Sequence, residues 1–444
     1  MDRQNRKRSS RSGQALIMVT LLIVPICGIV GLVSDIGYMQ FIKMSAQTAA
    51  ESAAKAAIIQ FHASVGGANY TCGGNVVCAT TATACPATIT TPANALQNGC
   101  MYAIQNGFKS SGNQLVTYQS GTGSAPPTVP GAPTAAYWLT FRAVQRVPQL
   151  FSAVLGNSSG LVAARSTAAV IGASDCVYAL NRTNYSGAVS AGGSSSLTSS
   201  CGIFVNSTSS SALSTNGGGS ISAPQYDLVG GTQSTLTPTP NTGVSPASDP
   251  LSGLPVPASA PYTCDYYNYS AGGAQTLSPG VYCGGINVGS NRTYTLTTGT
   301  YILVGGGLST QSANSTLIGN GVTIYNTFGA TTNHGTLTYS PISLSGSSSV
   351  TLTAPNTGTY AGILIFEDRN APANYDTYGG GSTAVYQGVI YALHAAVTMY
   401  GNSSTAQYTM LVADTISLVG NTSLNSNYSL LPNGSPIQQV VLME

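Results

Sequence analysis

The stretch Ala15-Leu-Ile-Met-Val-Thr-Leu-Leu-Ile-Val-Pro-Ile-Cys-Gly-Ile-Val-Gly-Leu-Val33 runs for 19 residues without a charge. As a helix it would span roughly 28 Å, close to the hydrocarbon thickness of a bilayer. Ala15, Leu16, Ile17, Leu21, Leu22, Pro25, Ile29, Leu32 and Val33 are therefore read as a membrane anchor. Pro25 is tolerated in such a helix because neighbouring groups can satisfy the carbonyl it frees. Arg3, Arg6, Lys7, Arg8 and Arg11 precede the run. The first 13 residues carry these five cations and one anion, whereas the rest carry nine Lys and Arg against eleven Asp and Glu. That asymmetry places the N-terminus in the cytoplasm and the bulk of the chain outside it. A cleaved signal peptide is the competing reading, but its apolar region is shorter and is followed by a small-x-small cleavage site. Here the run continues into helix-forming sequence, which favours an uncleaved anchor.

Residues 34–62 are rich in Ala and unbranched side chains, with Glu51 four residues before Lys55 as a supporting pair. The spacing predicts one long N-terminal helix. Over the whole chain only 6% of residues are charged, a composition compatible with disorder. Against this, mean hydropathy is +0.15, Tyr occurs 25 times, and β-branched residues recur in short alternating runs. A β-rich exported fold follows. No basic patch exists beyond residue 13, which argues against nucleic acid as a partner.

Cys27 lies in the apolar run. Cys72, Cys78, Cys85, Cys100, Cys176, Cys201, Cys264 and Cys283 form an even set with no Cys-x-x-Cys pair. Disulfides in an oxidising compartment are expected, not zinc. Cys72 to Cys78 and Cys85 to Cys100 are short loops. Between residues 63 and 135, a helix is expected near Ala93–Phe108 and a linker at Gly121–Pro133. Tyr137–Val144 and Leu161–Ile171 read as strands, and Val147–Leu155 as a short helix with proline in its first turn. A helix on a small antiparallel sheet would be pilin-like.

From Asp175 the character changes. Ser278-Pro-Gly-Val-Tyr282, Thr298-Gly-Thr-Tyr301, Gly321-Val-Thr-Ile-Tyr325, Thr357-Gly-Thr-Tyr360 and Gln387-Gly-Val-Ile-Tyr391 share a pattern. Intervals near 20 residues with short strands suggest a solenoid, and a right-handed parallel β-helix fits them best. An antiparallel sandwich is the competitor. Cys264 and Cys283, and Cys176 and Cys201, are each about one coil apart. Stacked coils at ~4.8 Å would bring such positions within disulfide range. Gln233–Pro261, rich in Pro, Ser and Thr, reads as an excursion. The expected domains are a cytoplasmic segment (1–13), a transmembrane helix (14–34), an exported helix with an α/β region (35–174) and a β-helix (175–444).

Residue types suited to catalysis are sparse. Glu367-Asp368-Arg369, after the apolar Gly362–Phe366, could form the lip of a groove, with Asp376 and Asp414 as further carboxylates. Such groups could hold calcium or act as an acid/base pair. The plainer reading is a strand-end turn tied down by an Asp–Arg pair, and it is the one favoured. No cofactor, catalytic residue or metal ligand is expected. Asp35, at the outer end of the run, either meets a basic group of a partner or simply marks the end of the span.

Several segments resemble the TadE/TadG-like proteins of tight-adherence (Flp) pilus assembly. They are Arg11-Ser-Gly13-Gln-Ala15, the apolar run, Val33-Ser-Asp35-Ile-Gly37, and Gln47-Thr-Ala49-Ala50-Glu-Ser-Ala-Ala54. The motif positions are Gly13, Asp35, Gly37, Gln47, Ala49 and Ala50. Val147-Pro148, Phe151 and Val162-Ala-Ala-Arg165 are similar more loosely. The resemblance implies a bitopic protein of the bacterial inner membrane that works with other pilus-assembly or envelope proteins. Met18 stands where prepilin substrates carry Glu, and the Asp-x-Ser-x-Ser metal motif of some relatives is absent from the sequence. The expectation is a non-enzymatic assembly protein whose β-solenoid is an adhesive or spacer module, with surface carbohydrate a candidate ligand. A tethered polysaccharide-active enzyme and a pilus-independent adhesin are the alternatives.

Overall fold

The computed structural model describes residues 12–65, 70, 72–73, 76–123, 135–311, 314–344, 347–380, 383–402, 405–431 and 434–443. Arg3, Arg6, Lys7, Arg8 and Arg11 lie outside the described residues. The chain forms two compact units. Unit 1 holds the chain to Val65, Tyr70–Ile171 and the residues from Val440 on, while Gly172–Gln439 belong to unit 2.

In unit 1 one helix, α1 (Ser12–Val65), continues unbroken through Pro25. By length and composition it is able to cross a membrane. Leu21, Leu22, Ile29, Leu32 and Val33 are all exposed. Higher up, Ala46, Ala49, Ala50, Ala53, Ala54, Ala57, Ile58 and Phe61 are buried. These recur at three- and four-residue spacing and form one face of the helix. The small side chains allow α2 (Ala95–Gln105) to approach closely. A Cβ added at Gly99 of α2 would lie 2.8 Å from the Ala53 carbonyl and 2.3 Å from the Phe141 ring. Asn94 caps α2 by accepting the Gln97 amide at 2.9 Å. Phe61 stacks on Tyr137 at 3.8 Å.

The sheet of unit 1 contains β1 (Thr83–Ala84), β2 (Gln114–Gly123), β3 (Ala135–Pro148), β4 (Ser159–Gly172) and the C-terminal strand Gln438–Met443, in that order. The β1–β2, β2–β3 and β3–β4 pairs are antiparallel. Two sequence expectations are corrected here. Val147–Leu155 is not one helix, because β3 continues to Pro148 and a 3-10 turn occupies only Ser152–Leu155. Residues 175–444 are not one domain, because Val440–Met443 complete the sheet of unit 1. Unit 2 is thus an insertion between β4 and the last strand.

Unit 2 is mostly β, and its main ladder is parallel throughout. In spatial order the ladder contains Tyr266–Tyr269, Gly280–Val288, Gly299–Val304, Val322–Thr327, Ile363–Glu367, Val385–Met399 and Thr409–Leu418. It then continues through Asp175–Ala179, Gly202–Val205, Tyr226–Leu228 and Asn241–Thr242. A second parallel ladder runs through Ala274–Leu277, Thr293–Leu296, Thr316–Asn320, Ser349–Thr353 and Val385–Met399. The chain therefore enters the stack at an interior strand, builds outward to Asn241–Thr242, and resumes at the far end. Successive parallel strands then lead back until Leu411 pairs with Val177. At the junction the Ala173 amide donates to the Ile437 carbonyl at 3.0 Å.

The Gly-x-Tyr pattern has a local cause. Tyr282 and Tyr301 point inward, fully buried, and each hydroxyl turns back to the carbonyl four residues earlier. Tyr282 donates to Ser278 at 2.7 Å and Tyr301 to Thr297 at 2.9 Å. The bond satisfies a polar group that burial would otherwise leave unpaired. Gly299 has φ 142°, and a Cβ there would lie 2.4 Å from the Pro279 ring. Substituting Gly299→Ala should destabilise unit 2 by about 1–3 kcal/mol, through both strain and overlap. Thermal unfolding of the purified protein measures this; an unchanged midpoint would refute the account.

Residues 243–262 run back along the stack as a strap. Ala247 exchanges hydrogen bonds with Asn206 at 2.8 and 2.9 Å. Leu251 and Leu254 are buried in the core. Tyr360 holds the Pro255 carbonyl at 3.2 Å, and Tyr262 bridges to Thr332. Gln233–Pro261 is thus fastened along the ladder instead of leaving it.

Candidate functional site

Asp35 is 8% exposed, at the outer end of the uncharged run. The turn between β3 and the 3-10 helix folds over it. Its carboxylate accepts the backbone N–H groups of Leu150 at 3.2 Å, Phe151 at 3.0 Å and Ser152 at 2.8 Å. Three converging donors favour the ionised form. The Ser152 amide is the largest influence, and together the donors hold the carboxyl below its usual range despite burial. Asp35 is therefore neither a bare marker nor unengaged: its partner is the backbone of its own unit. Of the other motif positions, Ala49 and Ala50 are buried in the helix face, and Gln47 donates to Glu51 at 2.7 Å. Gly37 has open space around it, and Gly13 lies in α1.

Because the folded pKa of Asp35 is depressed, its contribution is present above the ordinary carboxylate range. It is lost as pH falls through the lowered value. In detergent micelles Asp35→Ala should expose the turn to chymotryptic cleavage after Leu150 or Phe151, with Asp35→Asn intermediate. Equal cleavage of all three proteins would show that the turn is held by something else.

In unit 2 the structure brings Glu367 and Asp376 together, but not at a surface. Both are 1% exposed, so the groove lip, the less favoured reading of Glu367-Asp368-Arg369, is corrected at Glu367. Glu367 accepts from Asn326 at 3.2 Å and Asn374 at 3.4 Å, and from the Tyr339 hydroxyl. Asp376 accepts the Ile342 amide at 2.9 Å and the Tyr378 hydroxyl at 3.1 Å. Asp368 is bound by Thr327 at 2.6 Å and Tyr325 at 3.0 Å. Arg369 clamps the strap: it donates to the carbonyls of Leu251 at 2.5 Å and Leu254 at 2.8 Å. Its guanidinium lies 5.0 Å over the Phe366 ring and 3.7 Å from Asp249. Asp414 lies apart from these, held by Asn181 at 2.9 Å.

Burial raises the pKa of Glu367, and burial together with the Glu367 charge raises that of Asp376. Asp175, buried and near Asp227, is pushed up to about 6. An acid with a raised folded pKa stabilises below its unfolded value, and that contribution is lost as pH rises through the folded value. Unit 2 should therefore lose stability as pH rises above about 4, the ordinary carboxylate value. Glu367→Gln should flatten this dependence in melts from pH 4 to pH 8. A steeper slope in the variant would overturn the assignment.

All four cysteine pairs are disulfides: Cys72–Cys78, Cys85–Cys100, Cys176–Cys201 and Cys264–Cys283. Cys27 is free and exposed. Among the described residues no three His, Cys, Asp or Glu side chains group to hold a metal ion.

Residues 13–68 match the family described as putative Flp pilus-assembly TadE/G-like. The match coincides with α1 and includes Asp35. No curated protein and no solved structure matches the chain. The matched domain supports involvement in a Flp pilus-assembly system and association with a membrane. Sequence reasoning had singled out Asp35 and, separately, Val147-Pro148 and Phe151. That the two meet was not visible, because backbone amides carry no side-chain signature.

Proposed function

We propose that this protein is a non-enzymatic, single-pass component of a bacterial Flp pilus-assembly system. In this reading α1 anchors it in the inner membrane with the basic segment in the cytoplasm. Unit 1, a long helix on an antiparallel sheet, is a pilin-like assembly module that contacts other pilus-assembly proteins. Unit 2 is a parallel β-solenoid, projected as an adhesive or spacer module. The observation that carries the reading is the family match over the apolar helix.

Two features support the remainder. Successive strands of unit 2 pair in parallel at intervals such as Gly280 with Tyr301 and Gly299 with Val322, as stacked coils require. The carboxylates are consumed by the fold: Glu367, Asp368, Asp376, Asp265 and Asp414 each accept hydrogen bonds within unit 2. That favours a structural role over hydrolysis. For an adhesive role, exposed rings such as Tyr375 and Tyr267 could stack on sugars.

Because the last strand belongs to unit 1, the informative deletion removes residues 173–438 and joins Gly172 to Gln439 by a short linker. Crosslinking and pull-down from membranes should recover pilus-assembly proteins with both the full chain and the deletion. Recovery with neither sinks the pilus reading. Recovery only with the full chain moves the assembly contacts to unit 2.

A further inference from the structure

We propose that the turn Leu150–Ser152 is a second membrane-contacting element, with Leu150 and Phe151 inserted among the outer-leaflet lipids beside α1. The inference rests on the reading of α1 as a membrane span. Asp35 fixes the height of the turn by holding three successive amides. Phe151 then points back toward the span. Its ring covers Gly31, where an added Cβ would lie 2.3 Å from ring carbons. Gly31 is one helical turn below Asp35, about 6 Å deeper along the axis, and within the uncharged run.

The turn nevertheless leaves much apolar surface uncovered. Leu150 is 78% exposed and Phe151 48%, beside a helix whose Leu32, Val33 and Ile36 are 46%, 63% and 50% exposed. One bare and one half-covered apolar side chain at the level of an apolar span make a surface continuous with it. A lipid environment is the occupant that this continuity selects.

The chemistry of Asp35 agrees with that depth. A carboxylate near the acyl boundary loses water and needs replacement donors. The three amides supply them without introducing a cation. Lys43, exposed on α1, lies eight residues further out, about 12 Å along the axis and at headgroup height. Arg146, also exposed, lies in β3 just before the turn. The protein would then touch the bilayer at two points, a helix and a turn, which fixes the rotation of the helix about its own axis.

The test uses the full chain with Cys27→Ala in liposomes, and single cysteines carrying an environment-sensitive fluorophore. The positions are Leu150→Cys, Ile29→Cys within the span and Lys109→Cys on an exposed part of unit 1. Spin-labelled lipids should quench Leu150 and Ile29. Iodide should quench both at least about threefold less than Lys109, as expected of probes within the acyl boundary. Adding Asp35→Ala should move the Leu150 probe toward water and leave Ile29 unchanged. A Leu150 probe as open to iodide as Lys109, with Ile29 still shielded, overturns the inference and spares the anchor. An Ile29 probe open to iodide overturns the anchor reading, and the inference with it.

Discussion

Unit 2 depends on one backbone pairing, the parallel register of Leu411, Val412 and Ala413 with Val177, Tyr178 and Ala179. Every other strand of the main ladder lies to one side of this junction or the other. The pairing joins the late strands of the ladder to its first and satisfies backbone groups that an interior strand cannot leave open. It also explains the strap. A chain that starts in the middle of a stack must cross from one end to the other once. Residues 243–262 make that crossing along the side, held by Asn206, Arg369 and Tyr360.

A second constraint runs through both units: the chain has few charges, and most of the carboxylates described above bind neutral donors. Asp35, Asp265 and Asp376 accept backbone amides, and Asp414 accepts a side-chain amide. The ion pair Arg369–Asp249 sits beside the strap carbonyls that the same arginine holds. Hydrogen bonds of this kind fix backbone position, whereas an exposed ion pair contributes little. For the buried pair Glu367 and Asp376 such bonds pull the pKa down, and burial outweighs them and raises both.

What could be read from the sequence was local or periodic. The uncharged run, the alanine face of α1 and the Gly-x-Tyr turns each carry their signal within a few residues. The Cys264–Cys283 pairing was legible from its spacing of 19, although the two cysteines are not register partners, since Cys283 lies opposite Tyr267. The features that escaped are long-range or made of backbone. Nothing in Thr409–Leu418 names Asp175–Ala179 as its neighbour. Nothing in Gln438–Met443 distinguishes a strand that returns to unit 1 from one more coil. Glu367 looked exposed because charged residues usually are, and its burial depends on Asn326, Tyr339 and Asn374, which arrive from other strands.

The interior entry point also sets an order of events for a chain that is synthesised from its N-terminus. Val177 precedes its partner Leu411 by 234 residues. The strands from Asp175 to Thr242 can assemble early, since they pair among themselves. One edge of that first half must then stay open while the rest of the chain is added, strand by strand from the far end. An open parallel edge is a template for other chains. The first half therefore waits as an unsealed sheet until Thr409–Leu418 arrives to close it.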